Sequence, residues 1–269
     1  MSHEESFLSH LIELRSRVVK SLLAVLVMFL AAAFGWPGSQ KLYTLFAEPL
    51  LAALPQGGQM IATDVVGVFL VPLKVSALVG FVLALPYVLY QVWAFVAPGL
   101  YAHEKRLVLP LVVTSFVLFL IGMAFAYFLV FPVVFAFMSA MAPEGVAWMT
   151  DIDKYFSFAL TSFLVFGLTF EVPVVVIVLI RMGVVSIEKM VAARPYVIVG
   201  AFVIAAIFTP PDVISQFMLA VPLWLLYELG IVLSRFVSRP VGESDWKAPT
   251  DEEMERELDR SERESTGLK

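Results

Sequence analysis

Four glutamates carry most of the chemistry this chain can offer. Glu13 and Glu104 stand among basic residues, while Glu171 and Glu228 interrupt long apolar runs. A carboxylate is the natural partner of a guanidinium. The planar fork of an arginine meets both carboxylate oxygens with parallel bonds, which an ammonium cannot do. Glu13 and Glu104 each also have a plainer explanation. Glu13 lies four residues before Arg17, the spacing of a local ion pair on a helix. Glu104 is followed at once by Lys105 and Arg106.

Glu171 is the more unusual of the four. It sits in residues 163–180, FLVFGLTFEVPVVVIVLI, with no other charge in that run. A stretch of that length and composition reads as a membrane span. An ionised carboxylate at mid-bilayer costs roughly 2.5–3.5 kcal/mol on insertion scales. Two residues on, Pro173 has no N–H for the carbonyl of Thr169, so a freed acceptor accompanies the acid. Both need protein or water beside them, not lipid. Glu171 reads either as a hydrogen-bonding residue satisfied between helices or as a functional carboxyl. In the second reading it faces a concave, partly wet surface that receives a polar residue from a partner's span.

Enzyme signatures are missing. The chain has no G-x-x-x-x-G-K-[ST], no G-x-G-x-x-G after a strand and no H-E-x-x-H. His3, His10 and His103 have no metal-ligand spacing and read as solvated surface residues. There is no cysteine, which excludes a disulfide framework, a thiolate metal site and a cysteine nucleophile. No metal and no cofactor are expected, and no enzyme activity.

The elements that must position these carboxylates are apolar helices. Hydrophobic residues make up 60% of the chain and charged ones only 15%, the composition of a membrane protein. The net charge of −5 comes entirely from the end of the chain. Residues 1–240 hold 13 basic and 13 acidic residues, and residues 241–269 hold 5 and 10. The expected organisation is a six-span membrane domain over 1–240 and an acidic, disordered tail over 241–269. With a balanced body and no basic face, no nucleic-acid partner is expected.

Residues 4–17 place Phe7, Leu8, Leu11 and Leu14 at helical spacing, which predicts a short amphipathic helix on the membrane surface. A first span follows over 18–36. Its long lead-in is atypical of a cleavable signal, although Ala31–Ala33 has the look of a cleavage site. Residues 37–64 read as a loop with an amphipathic middle. Further spans are expected over 65–96, 107–141 and 155–180. The last two are shorter: 195–209, stopped by Pro210-Pro211, and 213–227, stopped by Glu228. Fifteen residues reach about 22 Å against a hydrocarbon core of ~30 Å. Two adjacent short helices imply a thinned bilayer and a concave face. Basic residues crowd alternate loops: Arg15, Arg17 and Lys20, then Lys105 and Arg106, then Arg181, Lys189 and Arg194, then Arg235 and Arg239. By the positive-inside rule both termini are cytoplasmic.

Several blocks carry a resemblance. SHLIELRSR, IATDV, ALPYVLYQVWAFVAPGLYAHEKRLVLP and GMAFAYFLVFP, followed by APEGV, FEVPVV, RPYVIVGAFV and TPPDVISQ, are similar to the TatC family from about residue 8 to 236. That resemblance implies a six-span core component of the twin-arginine translocase, which moves folded proteins across the bacterial cytoplasmic membrane or the thylakoid membrane. For this chain it implies the bacterial inner membrane. It implies a cytoplasmic patch that binds twin-arginine signal peptides, with Glu13 and Glu104 as its acids and Phe95, Arg15 and Arg17 beside them. Glu171 matches the family's intramembrane glutamate. Thr209, Asp212 and Gln216 match a polar region tied to single-span partners of the TatA and TatB type, and Pro49 matches a functional outer-loop position. The lipid bilayer and other copies of the chain complete the implied surroundings, and the proton-motive force is the implied drive.

Two rival classes remain from the residues themselves. A proton-coupled secondary transporter would use Glu171 as its proton site, but would show repeat symmetry and further ionisable residues along a path. A purely structural assembly factor would bind nothing at Glu13 and Glu104.

Overall fold

The first helix of this chain runs until a glycine and a proline stop it. In the computed structural model, which describes residues 3–35, 37–52, 60–96, 108–140, 150–208 and 213–237, helix α1 spans His3–Phe34 without interruption. The expected split into a surface helix over 4–17 and a separate span is therefore incorrect. No glycine or proline falls between residues 3 and 34, so nothing removes a helical hydrogen bond at the membrane surface. Gly35 and Pro37 end α1, and Gly38, at φ 85°, turns the chain into α2 (Ser39–Ala52). Much of the segment expected as a loop is thus helical. Pro49 falls in the last turn of α2, its side chain outside the described residues.

After β1 (Met60–Ile61), α3 (Gly67–Val96) forms the second span with Pro72 and Pro86 inside it. The third is a rod of α4 (Val108–Phe125), a π turn (Ala126–Val130) and α5 (Phe131–Ala140). The N–H of Phe131 reaches back to the carbonyl of Ala126, five residues away. That widened turn sits directly before Pro132, which has no N–H to continue the ordinary ladder. Then come β2 (Thr150–Asp151), α6 (Ile152–Thr169) and α7 (Val172–Arg181). Phe170 and Glu171 form the turn between those two helices, where Pro173 cannot donate. Finally α8 (Ile187–Ala192) leads to α9 (Arg194–Phe208), and α10 covers Val213–Val237. Helix α9 is as short as expected. Helix α10 is not: it passes through Glu228 and continues for 25 residues. The carboxylate does not end it because the guanidinium of Arg194 meets that charge at 2.6 Å.

Among the described residues six segments are long and apolar enough to cross a membrane: 11–34, 67–96, 108–137, 152–181, 187–208 and 216–236. Helix α3 packs between α1 and α4, α4 packs on α6, and α10 packs on both α7 and α9. Close approach is set by glycine. A Cβ at Gly80 would stand 2.6 Å from the backbone of Phe29, which fixes α3 against α1. At Gly122 it would meet the carbonyl oxygen of Phe166 at 2.5 Å, and at Gly167 the ring of Phe119 at 2.6 Å. Small residues let helices in a membrane approach closely enough for dispersion and polar contacts to hold them. The aromatic core lies beside that contact, with Phe119, Phe156 and Phe166 fully buried.

One end of the bundle is closed by a clasp. Strands β1 and β2 pair in parallel, Met60 opposite Thr150 and Ile61 opposite Asp151. Asp151 then works in two directions. Its Oδ1 accepts from the N–H groups of Asp153 and Lys154 at 2.9 and 3.1 Å, capping α6. Its Oδ2 accepts from the Thr63 N–H at 3.0 Å and from the Thr63 hydroxyl. Next to it, Lys74 on α3 donates to Asp153 at 2.6 Å and to Ser157 at 3.1 Å.

Two expectations follow. Gly122→Ala forces a shift in the α4–α6 contact and should lower stability in detergent by ~1–3 kcal/mol, as overpacking does. Gly200→Ala, where a Cβ meets nothing within 4 Å, should be neutral or stabilising. Thermal melts of the two variants test this, and equal destabilisation would contradict the packing account. The second concerns the clasp. The hydrogen bonds to Asp151, that of the Thr63 hydroxyl foremost, lower its pKa from 3.8 to about 2. A depressed folded pKa means the contribution is present in full above the unfolded value and lost as pH falls through the folded one. Hydrogen-exchange protection at the Asp153 and Lys154 amides should hold to near pH 4 and fall by pH 2. Asp151→Asn should abolish that pH dependence. An unchanged pH profile in the variant would refute the assignment.

Candidate functional site

Helices α1 and α3 run antiparallel, since Phe29 faces Gly80 and Arg17 reaches Gln91. The start of α1 and the end of α3 therefore lie together, at the end of the bundle away from the clasp. Glu13 and Arg17 share one face of α1 as an i,i+4 pair. The Nε and Nη2 groups of Arg17 donate to the same oxygen, Oε1 of Glu13, at 2.9 and 2.6 Å. Its Nη1 donates across the helix boundary to Oε1 of Gln91 at 3.2 Å. Gln91 is buried, whereas the Glu13 side chain stays 39% exposed. The carboxylate is thus held by its neighbour yet open to solvent. The local ion pair foreseen at this spacing is present, but as part of a three-residue arrangement.

Phe95 lies one turn beyond Gln91 on α3 and is half-buried at the same end of the bundle. Arg15 does not join the group. It is exposed, and two residues from Arg17 along a helix places it on another side of α1. Glu104, Thr209 and Asp212 fall outside the described residues, as does the tail over 241–269. Gln216, at the start of α10, donates its Nε2 to the backbone carbonyl of Phe202 on α9 at 3.3 Å. That bond ties the first turn of α10 to the middle of α9.

Glu171 is found in a different setting from the expected wet recess. The residue is only 8% exposed. Both carboxyl oxygens are buried and neither has a hydrogen-bond partner among the described residues. The Ser115 hydroxyl lies near the carboxyl and accepts from Trp93 Nε1 at 3.0 Å. The acid is therefore enclosed in this conformation. Among the described residues no ionisable side chain pairs with it, so nothing there supports a proton-coupled carrier.

Residues that sequence reasoning passed over turn out to organise the site. Gln91 and Trp93 lie in QVWAF and point to opposite neighbours, α1 and α4. Their signal was present: a glutamine inside an otherwise apolar span needs a partner. Lys74 carried the same signal, and Asp153 answers it.

The chain is similar to proteins of one kind over most of its length. A family profile described as "Sec-independent protein translocase protein (TatC)" matches residues 9–222. A protein named "Sec-independent protein translocase protein TatC" from Azotobacter chroococcum mcd 1 is 53% identical over 223 residues, covering 83% of this chain and 86% of the relative. Its counterpart of the same name from Escherichia coli (strain K12) is 50% identical over 238 residues, with coverage of 88% and 91%. A crystal structure described as "Twin Arginine Translocase Receptor- TatC" superposes with TM-score 0.73 at 38% identity, covering 86% of this chain and all of that one.

The unpartnered oxygens of Glu171 give a test of their own. A buried polar atom without a partner costs about 1–3 kcal/mol. Glu171→Leu should therefore keep or raise thermal stability in detergent, while Glu171→Gln, which leaves polar atoms in place, should change it little. A drop of several degrees in the melting temperature of the leucine variant would show that the carboxyl is satisfied after all.

Proposed function

The chain belongs to the TatC family of Sec-independent protein translocase proteins, and from that premise we propose that it receives twin-arginine signal peptides at the end of the bundle where α1 begins. As a translocase component it is a membrane protein and not an enzyme. The observation that supports the receptor reading is Glu13: a carboxylate gripped through one oxygen by Arg17 and still 39% exposed, with the half-buried Phe95 at the same end of the bundle. In this reading both termini face the cytoplasm, in keeping with the basic residues of alternate loops, and the membrane is the bacterial inner membrane. Glu104 is the second acid.

Magnitudes set the division of labour. A charge-assisted hydrogen bond contributes ~1.5–3 kcal/mol and an exposed ion pair ~0.2–1. A micromolar complex needs ~8. Two glutamates select the arginines but supply only part of that, so the signal's apolar segment lies along the membrane-embedded surface and contributes most of the remainder. The single-span partners, of the TatA and TatB type, dock along α9 and the start of α10, where Gln216 bridges to Phe202 and Thr209 and Asp212 lie between them in sequence. Helix α9 suits that role, since Tyr196, Val199, Val203 and Ile207 form an exposed apolar row along it. Glu171 is reached only when the helices covering it move. Pro49 in α2 acts on the opposite side, near the clasp.

Photocrosslinking and equilibrium binding of a twin-arginine precursor test the reading. Glu104→Gln should weaken binding by roughly tenfold to 150-fold, the equivalent of one charge-assisted contact, with normal protein level and insertion. Glu13→Gln should add to it or contribute less. Unchanged binding in the double variant would exclude this site. Equal affinity for a precursor whose two arginines are lysines would remove the fork argument.

A further inference from the structure

We propose that Gln91 is a positioning residue that determines how Glu13 meets an incoming arginine, an inference that rests on the signal-peptide reading above. The Arg17 guanidinium is tied at two edges. Its Nε and Nη2 converge on Oε1 of Glu13, and its Nη1 is held by Oε1 of Gln91. Gln91 is 6% exposed and set in the α1–α3 contact, which is fixed in turn by the close approach of Gly80 to Phe29. Its amide oxygen is therefore a stationary acceptor rather than a mobile surface group. The two donors on the Glu13 side use both lone pairs of one oxygen. Oε2 is left outside the grip of Arg17.

The importance of this lies in what an untethered Arg17 does. Guanidinium and carboxylate prefer a fork-to-fork arrangement, with one donor on each oxygen. An arginine free to turn adopts it, occupies both oxygens of Glu13 and neutralises the carboxylate against any second guanidinium. The bond to Gln91 holds the guanidinium plane so that Arg17 stays on one oxygen. Glu13 then keeps one oxygen for a ligand arginine. Gln91 touches no ligand in this scheme; it acts through Arg17.

The test measures precursor affinity for Gln91→Leu, which keeps the size and removes the acceptor, and for Gln91→Glu, which restores an acceptor oxygen. Gln91→Leu should lower affinity for a twin-arginine precursor by the same factor as Glu13→Gln, roughly tenfold or more. It should also reduce the preference over a twin-lysine precursor. Combining Gln91→Leu with Glu13→Gln should give no further loss, because both remove the same oxygen from use. Gln91→Glu should recover binding. A merely structural role predicts additive losses, a lowered melting temperature and no rescue, and that pattern overturns the inference. So does wild-type affinity in Gln91→Leu when Glu13→Gln is weakened. If Glu13→Gln itself binds as wild type, the receptor reading at Glu13 is at fault, and the role of Gln91 falls with it.

Discussion

The contact between α4 and α6 is the constraint on which the remaining placements depend. Ser115, Phe119 and Gly122 on α4 and Ala126 at the start of the π turn form one buried row. Gly122 seats on the Phe166 carbonyl, and Phe119 lies across Gly167. In a membrane, lipid is as apolar as the helices, so association depends on close dispersion contact rather than on leaving water. Two glycines in register bring the backbones near enough for that. The same register sets Ser115 beside the Phe170-Glu171 turn, and Ser115 in turn receives Trp93. Trp93 fixes α3, whose other side presents Gln91 to Arg17. A steric fact in the interior is thereby linked, through three helices, to the orientation of a surface carboxylate.

Charge is placed where the helices can satisfy it. Lys74 finds Asp153 and Ser157 near the start of α3, Arg17 finds Glu13 and Gln91 near its end, and Arg194 finds Glu228. Each pair crosses helices or stabilises a helix terminus, and each keeps some exposure, so desolvation is limited. Glu171 departs from that pattern. It lies deep in the apolar segment 152–181, with no hydrogen bond to either oxygen among the described residues. A structure selected only for stability has no reason to hold a carboxyl there, because an apolar side chain of similar volume costs less. The turn beside it is already broken by Pro173, so this is also where the helix bends most cheaply.

The two ends of the bundle are built for different tasks. At the clasp, Asp151 joins β1, β2 and the first turn of α6 through one carboxylate, and the parallel strand pair adds backbone bonds. At the other end, Glu13 is half-open and the partly buried Phe95 lies at the same end of α3. Rigid backing with an accessible polar group in front is the arrangement a recognition site needs, since a preformed acceptor loses less freedom on binding.

The sequence by itself determined the membrane class, the number of spans and the short α9. All of these follow from apolar length, from proline and glycine positions and from local spacing. The Glu13–Arg17 pair was equally legible, because i,i+4 contacts depend only on helix geometry. What only the tertiary structure decided was which residue meets which across helices. Gln91 is an isolated amide until α1 lies against it, and Glu228 is a helix-ending charge until Arg194 arrives from α9. Glu171 faces a wet groove in one packing and the interior in another, and only the register of Gly122 on Phe166 chooses between them. Apolar side chains around a transmembrane helix are nearly interchangeable toward lipid, so periodicity does not reveal the face that packs. Steric fit between particular residues does.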